Sequence, residues 1–254
     1  MKLKFLILIF YISLLPLTSS AQRWKLRRIE TSIGFGTSHF HGDIGGTADV
    51  KNGLGFKDIQ FEYTKPSLAF GIAYKVAGDM NVKMNLIYGF IKGDDINSRN
   101  SERNLAFTST IFEPSFQFEY YLISESSSFS SSAQFNRRGM VNNYAQFYLY
   151  GFGGLGGVFS NVTPEKELIS KIDNNFSKFG IVFPIGLGLK YTIDAKWSLG
   201  LEFGRRFTLS DYIDGYSSKF SKHKDTYYIG LFSAIYKIRT DRRGRPIFGR
   251  AFRF

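Results

Sequence analysis

Large apolar residues alternate with small or polar residues over the stretch 180–207. From 181 to 193 every second position carries a bulky side chain, and most positions between them carry glycine, proline, threonine or lysine. The same alternation runs through residues 197–203, after a short connection at 194–196. Because successive side chains of a β-strand point to opposite faces, each arm has one bulky apolar face and one face of small or charged residues. The pattern predicts a hairpin whose bulky face meets lipid and whose small face lines a narrow interior.

Similar alternation recurs along the chain and predicts eight strands. They cover residues 29–40, 66–76, 81–92, 106–123, 145–159, 180–193, 196–207 and 225–238. The alternation breaks down in the fifth strand, at the glycine-rich run 151–157, and its parity is mixed in the eighth, so the faces of these two strands stay open. An even number of strands permits antiparallel closure with both termini on one side of a membrane. The fold class predicted is all-β: an eight-stranded antiparallel transmembrane outer-membrane barrel with a lumen filled by side chains.

The connections between these strands are long at one end of the barrel and mostly short at the other. The long ones, predicted to face outside, are residues 42–65, 93–105, 160–179 and 208–224. At the periplasmic end we expect two tight turns, 77–80 and 194–196, and the serine-rich segment 124–144, which we interpret as a flexible connection. Pro114 lacks a backbone N–H and predicts a local bulge or an unpaired position at the rim.

Composition and the chain start support export to the outer membrane. The 254 residues include 27 Phe and 15 Tyr, which suits lipid-facing bands, and no Cys, which excludes disulfides and thiolate chemistry. Residues 1–21 read as a cleaved signal peptide, with two lysines, an apolar run at 5–17 and small residues before Gln22. A membrane-anchor helix is less favoured because that run is too short to span a bilayer. The predicted division is a signal peptide at 1–21, a basic periplasmic segment at 22–28, the barrel at 29–238 and a basic periplasmic tail at 239–254.

Charged residues at inward positions occur in equal numbers of acids and bases. By the strand parity they are Glu30, Glu113, Glu119 and Glu202, with Lys75, Lys83, Lys190 and Arg206. An eight-stranded barrel is just wide enough for side chains to fill it, and an unpaired buried charge costs several kcal/mol. We therefore expect an ion-pair network that plugs the lumen and not an open pore. The alternative is that some of these residues lie at hydrated rims.

Basic residues concentrate at the predicted periplasmic end and account for much of the formal net charge of +12. Lys237 and the arginines after it form the basic tail. The candidate docking residues are Arg23, Lys25, Arg27, Arg28, Arg137, Arg138, Arg239, Arg242, Arg243 and Arg245. Complementary charge speeds and orients protein encounter, so these residues suit an acidic periplasmic partner. The alternative is a basic collar on anionic lipid or simple solvation. A nucleic-acid partner is implausible in this compartment.

Candidate catalytic and metal-binding motifs are sparse. His39, His41 and Asp43 share one strand face and offer three metal-ligand types, but no second ligand group lies nearby in sequence, which favours a polar rim. The glycine runs at 34–36 and 151–157 lack the lysine of a phosphate loop. We predict no enzyme activity, no catalytic residue, no cofactor and no metal. A barrel enzyme acting on lipid, with His39 or His41 as base, and an adhesin or porin-like barrel remain alternatives.

Several short stretches, in order, resemble one family. They are residues 22–28 (QRWKLRR), 34–46 (GFGTSHFHGDIGG), 103–107, 116–121 and 194–197. Together they resemble the DUF6089 outer-membrane barrels, which include PorG-like components of the type IX secretion system. The resemblance implies a non-enzymatic barrel in outer-membrane lipid and lipopolysaccharide that contacts periplasmic secretion-ring proteins. It supplies no functional residues, so the docking set above comes from charge placement alone.

Overall fold

The computed structural model describes residues 27–42, 44–45, 61–96, 101–123, 133–136, 139–142, 146–172, 177–194, 196–216, 224–241 and 243–247. Eight antiparallel strands close into a barrel, and two short strands form a separate hairpin. In chain order the strands are β1 (Ile29–His41), β2 (Lys65–Lys75), β3 (Met80–Asp94), β4 (Leu105–Tyr121), β5 (Ala133–Asn136), β6 (Gly139–Asn142), β7 (Gln146–Lys166), β8 (Phe179–Thr192), β9 (Trp197–Thr208) and β10 (Thr226–Ile238). Around the barrel the order is β1-β10-β9-β8-β7-β4-β3-β2. The eight-stranded antiparallel prediction is confirmed.

The two ends of the barrel differ in how the strands are joined. The first residue of β1 pairs with the last of β10, so both ends of the barrel sequence lie at one end, which we call the terminal end. Two tight turns lie there as well: the Val76 N–H donates to Met80 O at 2.9 Å, and the Ile193 N–H donates to Trp197 O at 3.1 Å. In the second turn the backbone N–H groups of Trp197 and Lys196 hold the pKa of Asp194 below its usual value. The opposite end is called the loop end.

The serine-rich segment 124–144 is not a featureless connection. Its described residues form β5 and β6, which pair from Ala133 with Asn142 to Asn136 with Gly139. The interpretation of the whole segment as flexible is therefore wrong for these eight residues. Arg137 and Arg138 lie outside the described residues.

Three neighbouring strands project beyond the rest of the barrel at the loop end. β7 has 21 residues, β4 has 17 and β3 has 15. The pairing of β7 with β8 stops at Phe159, whereas its pairing with β4 continues to Lys166. The predicted outer loop 160–179 therefore begins as strand. We call residues 90–94, 105–110 and 160–166 the overhang.

The outer wall of the barrel is a continuous apolar band. Its large side chains are exposed, from 37% for Phe183 to 70% for Phe147. The band includes Ile33, Phe35, Leu68, Phe70, Ile72, Val82, Met84, Phe112, Phe116, Phe118, Leu155, Ile181, Ile185, Leu187, Leu201, Phe203 and Phe232. A water-soluble protein rarely exposes so large a contiguous apolar surface. The bulky residues predicted to face outward on β2, β3, β8 and β9 lie on this wall.

Pairing with β8 shows which side chains of the fifth barrel strand, β7, face the lumen. Tyr148, Tyr150 and Phe152 point inward and are buried. Tyr150 pairs with Gly188 and Phe152 with Gly186 across the sheet. A Cβ placed on Gly186 would lie 2.6 Å from Phe152 Cζ, so the glycines of β8 make room for the aromatic rings of β7. Part of β7 therefore carries its large side chains on the inner face and not the outer face. For this reason the alternation of large and small residues could not be assigned to faces from the sequence.

Pro114 interrupts a ladder without shifting it. The pairs Phe112–Phe159 and Ser115–Gly156 belong to one register, and the two β4 residues between them have no β7 partner. Pro114 keeps its cross-strand position beside Leu86 of β3. The residue is therefore unpaired on one side in the middle of the strand, and the predicted bulge or rim position is wrong. Because Pro114 has no N–H, one hydrogen bond between β4 and β7 is missing. The register is preserved because both strands have the same number of residues across the gap.

Candidate functional site

The lumen contains all eight of the charged residues expected there. Each side chain belongs to a residue with 0% to 6% exposure. Glu30 accepts hydrogen bonds from Lys190 Nζ at 2.5 and 2.7 Å, and Lys75 Nζ lies 3.9 Å from its carboxylate. One glutamate thus faces two lysines from other strands near the terminal end.

A second group lies beside the first. Lys83 Nζ forms an ion pair with Glu202 and lies 3.8 Å from Glu119 Oε1. The Tyr150 hydroxyl donates to Glu202 Oε1 at 2.8 Å, and Asn81 Nδ2 donates to Glu119 Oε2 at 3.0 Å. A cavity of about 20 Å³ lies among these side chains. It has room for roughly one water molecule.

A third group lies deeper, toward the loop end. Arg206 Nε is 3.7 Å from Glu113 Oε2, and the Tyr227 hydroxyl donates to the same oxygen at 2.7 Å. Arg206 Nη1 also donates to Gly204 O at 2.8 Å. The structure therefore brings the eight residues together in three neighbouring groups. We call the three groups the lumen network.

Lys237 joins the lumen and not the basic tail. It is buried, and its Nζ donates to Thr192 Oγ1 at 3.2 Å. The reason is that β10 continues to Ile238, and its alternation directs Lys237 inward. The assignment of Lys237 to the periplasmic surface is wrong, and the described lumen carries five bases against four acids.

Apolar side chains are concentrated toward the loop end of the lumen. Its inward residues are Ile87, Ile91, Phe107, Ile111, Val158, Val182, Ile229 and Leu231. Ile44, Leu168 and Ile213 from the connections pack against them and are fully buried. The expectation of a lumen lined only by small or charged residues is wrong here. A bulky inward residue between two bulky outward residues, such as Ile87, reads in the sequence as part of a continuous apolar run. The alternation pattern therefore does not reveal it.

Polar contacts at the loop end hold this apolar layer closed. Asp95 accepts a hydrogen bond from the Gly45 N–H at 3.0 Å and pairs with Arg103 at 3.2 Å. Asp225 accepts from the Ile213 N–H at 3.0 Å. These carboxylates fix the segments that carry Ile44 and Ile213 over the barrel mouth.

Half of the candidate docking residues lie in the described part of the chain. Arg27 and Arg28 are half-buried, whereas Arg239, Arg243 and Arg245 are exposed. The other five, Arg23, Lys25, Arg137, Arg138 and Arg242, lie outside it. All five described arginines are at the terminal end, next to the two ends of the barrel sequence.

The chain folds into a turn after β10. The Ile247 N–H donates to Arg239 O at 2.9 Å, and Thr240 pairs with Pro246. The Asp241 carboxylate accepts the N–H groups of Arg243 and Arg245, both at 2.8 Å. We call residues 239–241 and 243–247 the terminal hook. The sequence analysis predicted a basic tail at this position and missed the Asp-x-x-Gly turn signal of residues 241–244.

The histidine motif is divided by the limits of the described chain. His39 is largely buried, and its Nδ1 lies 3.4 Å from Thr64 Oγ1. His41 pairs with Thr226 of β10. Asp43 and His223 lie outside the described residues. Within the described ranges, no group of three or more potential ligands is arranged to hold a metal ion. No described helix is both long and apolar enough to cross a bilayer.

Comparisons with known proteins give one family and a set of distant barrels. The family described as "Domain of unknown function (DUF6089)" matches residues 4–240. No curated protein sequence matches this chain. Among solved structures, Ail of Yersinia pestis is similar with 11% identity and a TM-score of 0.39, covering 83% of this chain and 98% of its own. OprG of Pseudomonas aeruginosa is similar with 9% identity and a TM-score of 0.44, covering 84% and 97%. Neisserial surface protein A is similar with 8% identity and a TM-score of 0.43, covering 82% and 96%.

Proposed function

This chain belongs to the DUF6089 family, and from that membership and its surface we propose that it is a non-enzymatic outer-membrane barrel that anchors a periplasmic secretion complex. The outward band of exposed Phe, Leu and Ile side chains is the observation that carries the membrane placement. In lipid every backbone polar group must be satisfied internally, and a closed strand ladder does this. The barrel is therefore most stable when lipid acyl chains surround its outer wall.

The filled lumen supports an anchor over a channel. The lumen network fills the lumen from the terminal end as far as Glu113 and Arg206, and apolar side chains under Ile44 and Ile213 fill it toward the loop end. Moving an ion through either layer would require breaking buried ion pairs or wetting a packed apolar core. The packing of the described lumen therefore favours the anchor over a porin-like role.

The charge asymmetry supports docking at the terminal end. Arg239, Arg243 and Arg245 are exposed there, whereas the carboxylates of Asp194 and Asp241 accept backbone N–H groups in turns. These two carboxylates are thus engaged by the backbone, and the three exposed arginines face solvent. An acidic periplasmic protein is the partner that this surface fits. Family membership and this surface together favour a PorG-like component of a type IX secretion system, with both mature termini in the periplasm.

Crosslinking in intact membranes tests the anchoring role. A photo-crosslinking residue at Arg239 or Arg245 should capture periplasmic ring proteins, identified by mass spectrometry. The same residue at Phe147 on the apolar wall is the matched control and should capture none of them. Replacing Arg27, Arg28, Arg239, Arg243 and Arg245 with Gln should lower ring-protein recovery and secreted cargo. Unchanged recovery and secretion would reject the docking function.

A second candidate function is binding at the cell surface, and the overhang favours it. Its outer face is polar and held by pairs: Lys166 with Asp94 at 2.7 Å and Lys92 with Glu165 at 3.3 Å. Residues 160–166 extend it by roughly 20 Å at the usual strand rise. If attachment is the function, Glu165→Lys should lower cell adhesion without changing secretion. The anchor predicts no change in adhesion.

The lipid-enzyme alternative has a direct test of its own. Replacing both His39 and His41 with Ala removes each candidate base. The anchor predicts unchanged cargo secretion and unchanged outer-membrane lipids, whereas an enzyme that uses these residues would leave an altered lipid profile by mass spectrometry.

A further inference from the structure

Three arginines lie on or against the terminal hook. Gly244 stands between Arg243 and Arg245 in the chain. A Cβ placed on Gly244 would lie 3.2 Å from Arg28 Cδ and 3.1 Å from the Tyr74 hydroxyl. The side chain of Arg28, from the start of the barrel, therefore lies against the turn that carries the other two arginines.

This arrangement is fixed by the backbone and not by charge alone. The Asp241 carboxylate binds the N–H groups of Arg243 and Arg245, and the Gly244 N–H donates to Asp241 O at 3.0 Å. Gly244 has φ +81°, a conformation that other residues adopt only with strain. Arg28 donates from its N–H to Thr240 Oγ1 at 3.3 Å and from Nη1 to the Tyr74 hydroxyl at 3.0 Å.

The Asp241 carboxylate binds the backbone of the turn and not the guanidinium groups of Arg243 and Arg245. Within the described ranges, no carboxylate forms an ion pair with the exposed side chains of Arg243 and Arg245. Guanidinium groups bind carboxylates through paired, directional hydrogen bonds. Ile247, at the end of the hook, is 46% exposed and offers an apolar contact beside the charges.

We propose that the terminal hook is a preformed seat for an acidic segment of the periplasmic partner, in which carboxylates bind Arg28, Arg243 and Arg245 and an apolar side chain packs on Ile247. The proposal rests on the docking function above and specifies which part of the surface binds the partner and which chemistry the partner presents. An anionic phospholipid headgroup is the competing occupant.

Peptide binding to the mature protein in lipid nanodiscs tests the seat. The probe is a fluorescein-labelled Glu-rich peptide with a central leucine, and the control peptide has Gln in place of Glu. The Glu peptide should bind, and Arg243→Gln with Arg245→Gln should weaken its binding about tenfold, as expected for losing charge-assisted hydrogen bonds. Equal binding of the two peptides, or no loss in the double variant, would overturn the proposal.

The direction in which Asp241→Ala changes peptide affinity distinguishes a preformed seat from attraction by net charge. This substitution keeps every arginine and removes one negative charge, so attraction by net charge alone predicts tighter binding. The seat predicts weaker binding, because the two N–H groups lose the carboxylate that orders the turn. Asp79→Ala, in the β2–β3 turn at the same end, makes the same change in charge outside the hook and should bind the peptide slightly tighter. Tighter binding by both variants would overturn the seat.

Two further arms complete the experiment. Gly244→Ala changes no charge and should weaken binding, since its Cβ meets Tyr74 and Arg28; retained heat-modifiable migration shows that each variant still folds. If phosphatidylglycerol vesicles displace the peptide from the wild type but not from Asp241→Ala, the occupant is lipid and the acidic-segment assignment fails. Loss of the seat in these assays leaves docking through net charge standing, whereas the membrane crosslinking result alone decides the docking function.

Discussion

At the scale of single residues, the barrel interior depends on charges that neutralise one another away from bulk water. Lys83 shows this most clearly, because one ammonium group faces the carboxylates of Glu119 and Glu202. Breaking a buried pair by removing one partner is far more costly than replacing all its members, since the remaining charges stay buried.

Truncation of Lys83 should therefore destabilise the barrel strongly. Lys83→Ala leaves two facing carboxylates, and we expect the free energy of unfolding to fall by about 3–5 kcal/mol. The measurement is urea unfolding in lipid vesicles followed by tryptophan fluorescence. The triple variant Lys83→Met, Glu119→Gln, Glu202→Gln should recover much of the loss, and Lys196→Ala, in an exposed turn, should change it by less than about 0.5 kcal/mol. Wild-type stability in Lys83→Ala would contradict the lumen network.

The positions of the lumen charges followed from sequence, but their partners did not. Strand parity places Glu30, Lys83 and Glu202 inward without knowledge of any neighbour. That Lys83 meets Glu202, which lies four strands away around the wall, depends on closure and register. Lys237 was missed for a different reason: the strand ends later than the basic composition of the tail suggested.

At the scale of elements, β7 organises the lumen through the glycines of its neighbour β8. Tyr150 occupies the space over Gly188 and reaches Glu202, so one ring couples strand packing to the lumen network. The alternation pattern did not predict the faces of β7, because its large side chains face the lumen only where the paired strand β8 carries glycines. That compensation depends on the pairing, which a single strand does not encode.

Adding one methyl group at Gly188 should expose this dependence. Gly188→Ala places a Cβ into the Tyr150 ring, which is buried and hydrogen-bonded, so we expect a loss of about 1–3 kcal/mol in unfolding free energy. Gly153→Ala is the matched control on β7, because nothing lies within 4 Å of its added Cβ. Urea unfolding in vesicles compares the two. Equal stability of both variants would show that the ring does not fill the space over β8.

At the scale of the whole molecule, the barrel is apolar outside and filled within. The eight-strand count, antiparallel closure and short turns at the terminal end could all be predicted from alternation and turn residues. The overhang, the terminal hook and the apolar packing toward the loop end could not, because strand extension and loop packing depend on contacts between distant segments.

A filled lumen has an electrical consequence. Residues 22–254 inserted in planar bilayers should show no stable open channel, because the described lumen is packed along its length. A barrel emptied by Arg206→Ala and Glu113→Ala keeps the apolar layer above the third group and should also stay closed. Discrete, long-lived conductance steps of the wild type would contradict the plugged lumen.

Refolding of residues 22–254, the chain without its predicted signal peptide, with and without a bilayer tests most directly whether this barrel belongs in a membrane. A membrane barrel should gain β-structure and heat-modifiable migration from the denatured state in lipid vesicles or detergent micelles, and should aggregate in buffer alone. A folded, monodisperse protein in plain buffer would mean that the bulky side chains pack against one another, and it would contradict both the membrane barrel and the anchor built on it.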